Sequence, residues 1–131
     1  MQIPSKPPAT LRHWNKPIYK HIYDIVVERI ITHRWCEGDR VPSVRELAVE
    51  LQVNPNTVMR AYDALCQSGI ITPSRGIGYF VAEGAARKAL AESRREFIEG
   101  ELADLFRRMD TLGVTTEELT NLYNNYKNNT K

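Results

Sequence analysis

The residues of this chain whose types and spacing could do chemistry are Arg45, Asn54, Asn56, Thr57, Arg60, Arg75 and Gly76. Asparagine and threonine offer donors and acceptors to base edges, arginine pairs with guanine edges or phosphate oxygens, and glycine lets a backbone pass close to another surface. Each alone has a plainer account: Asn54 as a helix cap, Thr57 as filler, Arg60 and Arg75 as solvated charges. Their shared location favours contact with nucleic acid. No catalytic grouping competes with them. A GxSxG elbow, a P-loop, a dinucleotide glycine pattern and clustered His with carboxylates are all missing, and the Gly76-x-Gly78 step is too short to cradle a phosphate. His33 and Cys36 are separated by two residues, but structural zinc needs about four ligands and no further His or Cys pair has motif spacing. No catalytic residue, metal or other cofactor is expected.

The elements that must position these residues can be read locally. Ser43 precedes Val44, Leu47, Ala48 and Leu51, an apolar set at helical spacing, and Glu46 follows three residues after the serine, which makes a capping box. Gln52 and Val53 form a corner, and Asn54-Pro55 restarts a helix with a cap followed by proline. In that second helix Val58, Ala61, Tyr62 and Leu65 form the buried stripe, so Asn56, Thr57, Met59, Arg60 and Asp63 lie outward. Its free backbone N–H groups would add attraction for a phosphate oxygen. Gly69 closes the helix, Ile70 to Thr72 read as a strand, Pro73 to Gly78 as a turn and Tyr79 to Val81 as a returning strand. Upstream, Ile18, Ile22, Ile25, Val26 and Ile30 recur at three- and four-residue steps on a helix that buttresses the pair. Gly38 to Val41 supply a turn and a short third strand. The whole reads as a winged helix-turn-helix over residues 17–82, mainly α with a small β-hairpin, with Arg75 and Gly76 at the wing's tip.

At this point the chain resembles the GntR family of bacterial transcription regulators. The resemblance rests on PIY at Pro17 to Tyr19, GDRVPSVRELA at Gly38 to Ala48, NPNTVMRAYDAL at Asn54 to Leu65, SGII at Ser68 to Ile71 and RGIGYFV at Arg75 to Val81. NPNTV with RGxGxFV points to the short YtrA-type branch, which carries a small helical tail in place of a large effector-binding domain. The resemblance implies double-stranded operator DNA as the partner. It makes Arg45, Asn54, Asn56 and Thr57 contacts of the reading helices, Arg75 and Gly76 contacts of the wing, and Arg60 a weaker candidate. It also implies control of a transporter operon and of the regulator's own gene. Val41 stands where the family usually has leucine, and Gln52 where many helix-turn-helix corners use glycine.

The tail, residues 83–131, reads as a helical hairpin for dimerisation. Ile98, Leu102, Leu105, Met109 and Leu112 follow four-three-four-three spacing, the seam of a helix that packs lengthwise on another, and Leu90, Phe97 and Phe106 widen it. Gly100 interrupts this helix and predicts a bend or a close crossing. Gly113 ends it, and Thr115-x-x-Glu118 is a second capping box that starts a helix with Leu119, Leu122, Tyr123 and Tyr126. Two helices are too few to enclose this surface alone, so a homodimer is expected; the alternative is a monomer whose hairpin folds back on its own winged helix. A twofold dimer predicts an imperfect palindrome with half-sites about 10 bp apart.

Composition permits this reading without demanding it. The 131 residues are 42% hydrophobic and 26% charged with net charge +2, enough for one compact unit plus an appendage. Residues 1–81 hold 10 Lys plus Arg against 7 Asp plus Glu, and residues 82–131 hold 8 against 9, a mild basic bias toward the first part. Two cysteines and the lack of a signal peptide or membrane-length apolar run suit a cytoplasmic protein with no membrane partner. Residues 1–16 read as a flexible arm whose Lys6, Arg12 and Lys16 are able to reach DNA. A small-molecule effector is unidentified, and one would have to lodge between tail and winged helix or at the dimer seam. The rival to DNA binding is a protein-interaction adaptor, whose sign would be a hydrophobic patch on the recognition face.

Overall fold

A computed structural model of the chain describes residues 16–130. Of the N-terminal arm only Lys16 falls among them; Lys6 and Arg12 lie outside the described residues. The elements run α1 (Ile18–Ile31), α2 (Val44–Leu51), α3 (Pro55–Gln67), β1 (Ile71–Ser74), β2 (Gly78–Val81), α4 (Ala85–Phe97), a π turn (Ile98–Leu102), α5 (Ala103–Leu112) and α6 (Thr116–Asn129).

The core sits where α1, α2, α3, the hairpin and the start of α4 meet. Ile22, Val26 and Ile30 of α1 meet Leu47 of α2, the Val58, Ala61, Tyr62 and Leu65 stripe of α3, and Ile70, Ile71 and Val81 of the hairpin. Each large side chain removed from water here contributes about 1.5–3 kcal/mol. Tyr23 and Val27 join the core from α1, whereas Ile18, expected on the buried face, is 62% exposed because it lies at the helix's first position, beyond the packed elements. Ala85 and Ala89 of α4 are buried as well, and their short side chains let α4 lie close against α1.

The corner between α2 and α3 follows from local chemistry. Ser43 Oγ accepts from Glu46 N at 3.1 Å and Glu46 Oε1 accepts from Ser43 N at 3.0 Å, the reciprocal pair of a capping box. Gln52 takes the left-handed conformation at φ 54° and ψ 50°, a position at which a side chain costs about 1–2 kcal/mol that glycine would avoid. The hairpin is longer than the sequence pattern predicts. Pro73 pairs with Tyr79 and Ser74 with Gly78, which leaves Arg75 to Ile77 as the turn. Pro73, expected in the turn, sits in β1 because that strand lies at the sheet edge, where a residue without an N–H is tolerated. The third strand is one bridge, Arg40 to Phe80, continued by Gly38 N–H to Val81 O and Val41 N–H to Tyr79 O, each 2.9 Å.

Three side-chain ties lock these elements. Tyr62 donates to Pro42 O at 2.6 Å and meets the Tyr79 ring edge-on at 4.9 Å. Arg29 of α1 pairs with Glu50 of α2 at 2.8 Å. Tyr23 donates to Ser68 Oγ, just past α3, at 3.0 Å and lies 3.3 Å from Glu92 Oε1 of α4, so one phenol touches both. Burial pushes the Tyr23 hydroxyl above its ordinary pKa, reinforced by the Glu92 carboxylate and opposed by the Ser68 bond.

In the tail the helix carries a π turn at Gly100: the widened Ile98–Leu102 turn admits an extra residue and lets the helix continue. The predicted seam is consequently not one uniform face. Met109 is buried within the chain and Leu102 is half-buried, while Leu90, Phe97, Ile98, Leu105, Phe106 and Leu112 are exposed. Gly113 at φ 73° ends α5. Thr115 Oγ1 caps α6 by accepting from Glu118 N at 3.1 Å, but the reciprocal bond from Glu118 is missing among the described residues, so the predicted second box is half formed. Leu122, Tyr123 and Tyr126 stand in solvent.

Candidate nucleic-acid interface

The candidate contacts all lie at the surface around the helix pair and the wing. Arg45 is the second residue of α2 and exposed; Asn54, Asn56 and Arg60 are exposed along α3, with Thr57 half-buried; Arg75 and Gly76 are exposed at the hairpin tip. Because the apolar stripe of α3 is wholly buried, its opposite, polar side is turned outward. Gly76 has φ 76° and no atom within 4 Å of where a Cβ would stand, so the turn needs glycine for its conformation and leaves the tip open for approach.

One expectation is corrected by the cap of α3. The first-turn N–H groups are not free: Pro55 has none, Asn56 N–H donates to Asn54 Oδ1 at 2.8 Å, and Thr57 and Val58 N–H both reach Asn54 O, at 3.0 and 3.3 Å. The asparagine that caps the helix consumes the donors expected to meet phosphate, leaving the side-chain amides and hydroxyl to act outward. At the start of α2 the Val44 and Arg45 N–H groups have no acceptor among the described residues, beside the Arg45 guanidinium. Glu46 stands in the same turn, and the bonds from Ser43 hold its carboxyl below the usual range.

Arg60 is not an independent surface charge. Its guanidinium stacks on the Tyr19 ring of α1 at 4.3 Å, which fixes its direction and leaves its N–H edge available. Residues not singled out by the sequence also belong to this surface. Arg40 lies across the wing, with Nε 3.1 Å from the point where a Gly78 Cβ would be, so Gly78 makes room for a second arginine at the hairpin. Ile77 at the tip and Met59 on α3 are exposed single apolar side chains, of the kind that meet a thymine methyl or a sugar. The glycine at Gly78 was the available signal for Arg40. Cys66 on α3 is half-buried, and burial raises its thiol pKa, with Asp63 adding to the shift. No group of three or more His, Cys, Asp or Glu among the described residues is arranged to hold a metal ion, and no helix there is long and apolar enough to cross a membrane.

Known proteins share both the sequence pattern and this architecture. The family described as bacterial regulatory proteins, gntR family, matches residues 18–81. Among curated proteins, the HTH-type transcriptional regulator YhcF of Bacillus subtilis is 38% identical over 107 residues, covering 80% of this chain and 85% of that protein. The HTH-type transcriptional repressor YtrA of the same organism is 38% identical over 103 residues, covering 79% and 78%. Among solved structures, a GntR family transcriptional regulator from Listeria monocytogenes superposes with a TM-score of 0.70 at 31% identity, covering 85% of this chain and 96% of that one. With the matched family segment ending at the closing strand of the wing and the relatives extending through the helical tail, the chain belongs to the gntR family of bacterial transcription regulators, on its YtrA-like branch.

Proposed function

We propose that this protein is a homodimeric repressor that reads a palindromic operator through the helix pair and wing of residues 17–82, with residues 83–131 joining the subunits. The observation that carries the reading is the division of α3. Its apolar stripe is fully buried while Asn54, Asn56 and Arg60 are exposed, as are Arg45 at the start of α2 and Arg75 and Gly76 at the hairpin tip. Phosphate contacts, from Arg75 and the open N–H groups of α2 among others, supply most of the affinity; Arg45, Asn56, Thr57 and the free amide of Asn54 select bases in the major groove. Repression is supported by the similarity to a relative named as a repressor. The exposed Phe97, Ile98, Leu105 and Leu112 support association of two copies, which would place two α3 helices about 10 bp apart on one face of the duplex.

Selection of bound duplexes from a random pool tests this directly, because it reports the motif, its symmetry and its spacing together. The expected product is an inverted repeat; an asymmetric site would remove the twofold reading, and no enrichment would remove sequence-specific binding. Arg45→Ala is expected to abolish the specific gel shift with the fold intact, and Arg75→Ala to weaken it and lower its salt dependence. Unaltered operator affinity in either variant would withdraw that residue from the interface.

A further inference from the structure

Tyr19 stands in the first turn of α1, half-buried against the core, on the helix that packs against α3. Tyr23, Tyr62 and Tyr79 each find a partner for the hydroxyl; Tyr19 finds none among the described residues, and what it presents to α3 is the face of its ring. That face carries the Arg60 guanidinium, 4.3 Å from the ring centroid, within the range at which an aromatic quadrupole attracts a cation. Arg60 is exposed and stands four residues beyond Asn56, so the two rise from one outward face of α3, a turn apart. A carboxylate competes for it: exposed Asp63 lies three residues on, a spacing at which such side chains can pair, as Asp104 and Arg107 do in the tail. No ion pair joins Arg60 to Asp63 among the described residues. The ring of a neighbouring helix, not the carboxylate of its own, sets the direction of this guanidinium.

An arginine free on a helix surface loses rotamer freedom when it binds, and phosphate, which can be met from many directions, suits it best. One already held against a ring presents its planar fork in a fixed direction, and two N–H groups side by side match O6 and N7 of guanine. We propose that Tyr19 is a positioning residue whose ring aims Arg60 at one guanine in the major groove of each half-site. This rests on the reading of DNA given above and adds to it a base contact and the residue of α1 that prepares it.

The test repeats selection from a random duplex pool with the full chain carrying Arg60→Lys, Tyr19→Leu or Tyr19→Phe. The parent is expected to enrich a guanine at one position of each half-site. Arg60→Lys keeps the charge without the fork and should lose that preference while the other positions hold. Tyr19→Leu should weaken the same preference about three- to fivefold, and Tyr19→Phe, which keeps the ring, should match the parent. Added to Arg60→Lys, Tyr19→Leu should then cost nothing further. A motif unchanged in Arg60→Lys or in Tyr19→Leu, a uniform loss on every sequence in Tyr19→Leu, or an undiminished Tyr19→Leu effect beside Arg60→Lys would each overturn the inference and leave the wider reading standing. A parent that enriches no motif overturns both. Should Tyr19→Leu not fold, the free parent decides by proton resonance: the Arg60 Nε–H signal must move upfield of its position in denaturant, and an undisplaced signal rejects the stack.

Discussion

The winged helix and the tail both carry large apolar side chains but use them in opposite ways. From α1 to the start of α4 the large side chains converge on a single core, with Val26, Val58, Tyr62 and Leu65 fully buried. Beyond Phe97 most side chains of the same kind face water, and among the described residues there Met109 is the one hydrophobic residue that is buried. The first region buries its large side chains within itself, whereas the tail leaves most of its own exposed.

The sharpest way to break this comparison is to delete one leucine from each region. Leu65→Ala, in a fully buried position, is expected to cost about 2–5 kcal/mol in urea unfolding. Leu112→Ala, at 64% exposure, should stay within about 0.5 kcal/mol in the dissociated chain and instead shift the sedimentation equilibrium toward monomer. Equal costs would mean that the tail is buried against its own winged helix. A tyrosine pair gives the next largest contrast. Tyr62→Phe leaves the Pro42 carbonyl without its partner and should cost about 1–3 kcal/mol, while Tyr126→Phe, on the exposed face of α6, should leave the unfolding midpoint unmoved.

Left-handed positions make the comparison finer, since the helix corner fills its site with Gln52 and the tail fills its own with Gly113. Gln52→Gly is expected to stabilise the fold by about 0.5–1 kcal/mol and Gly113→Ala to destabilise by about 1 kcal/mol, both read as melting shifts. Opposite signs are required; a destabilised Gln52→Gly would mean that the glutamine side chain holds the corner. The smallest effect concerns the two caps. The Glu46 carboxyl is held below its ordinary value of 4.5 by the Ser43 N–H, so its contribution is present above that value and lost as pH falls through the lower folded one. The stability difference between parent and Glu46→Gln should therefore vanish in acid, whereas Glu118→Gln, lacking the reciprocal bond, should differ little from parent at any pH.

Much of the winged helix was legible because its signals are local. Ser43 with Glu46, Asn54 with Pro55, and the glycines of the wing each specify a boundary through neighbouring residues. What escaped needed partners distant in sequence. Ala85 and Ala89 carry too little hydropathy to mark a buried face, yet their small size lets α4 approach α1. The stacking of Arg60 on Tyr19 joins residues from two helices that no spacing rule relates. The N–H groups of α3 illustrate a different limit: the residue read as a cap and the donors read as free were mutually exclusive, and only the hydrogen bonds decide between them. In the tail the heptad spacing was visible, but the π turn shifts the register after Ile98, so sequence distance there no longer measures rotation around the helix.

Only Ala82 to Gly84 separate β2 from α4, and that junction is clasped from both sides: the Gly84 N–H donates to Glu37 Oε1 at 2.7 Å, and Ala85 is sealed in the core. The tail therefore leaves the reading unit at a fixed angle, as an arm welded to a frame. In a pair of the kind proposed, that fixed angle together with the contact between the tails would set the distance between the two reading surfaces. An operator whose halves were moved apart by a single base pair is then expected to bind more weakly in a gel shift, even with every base correct.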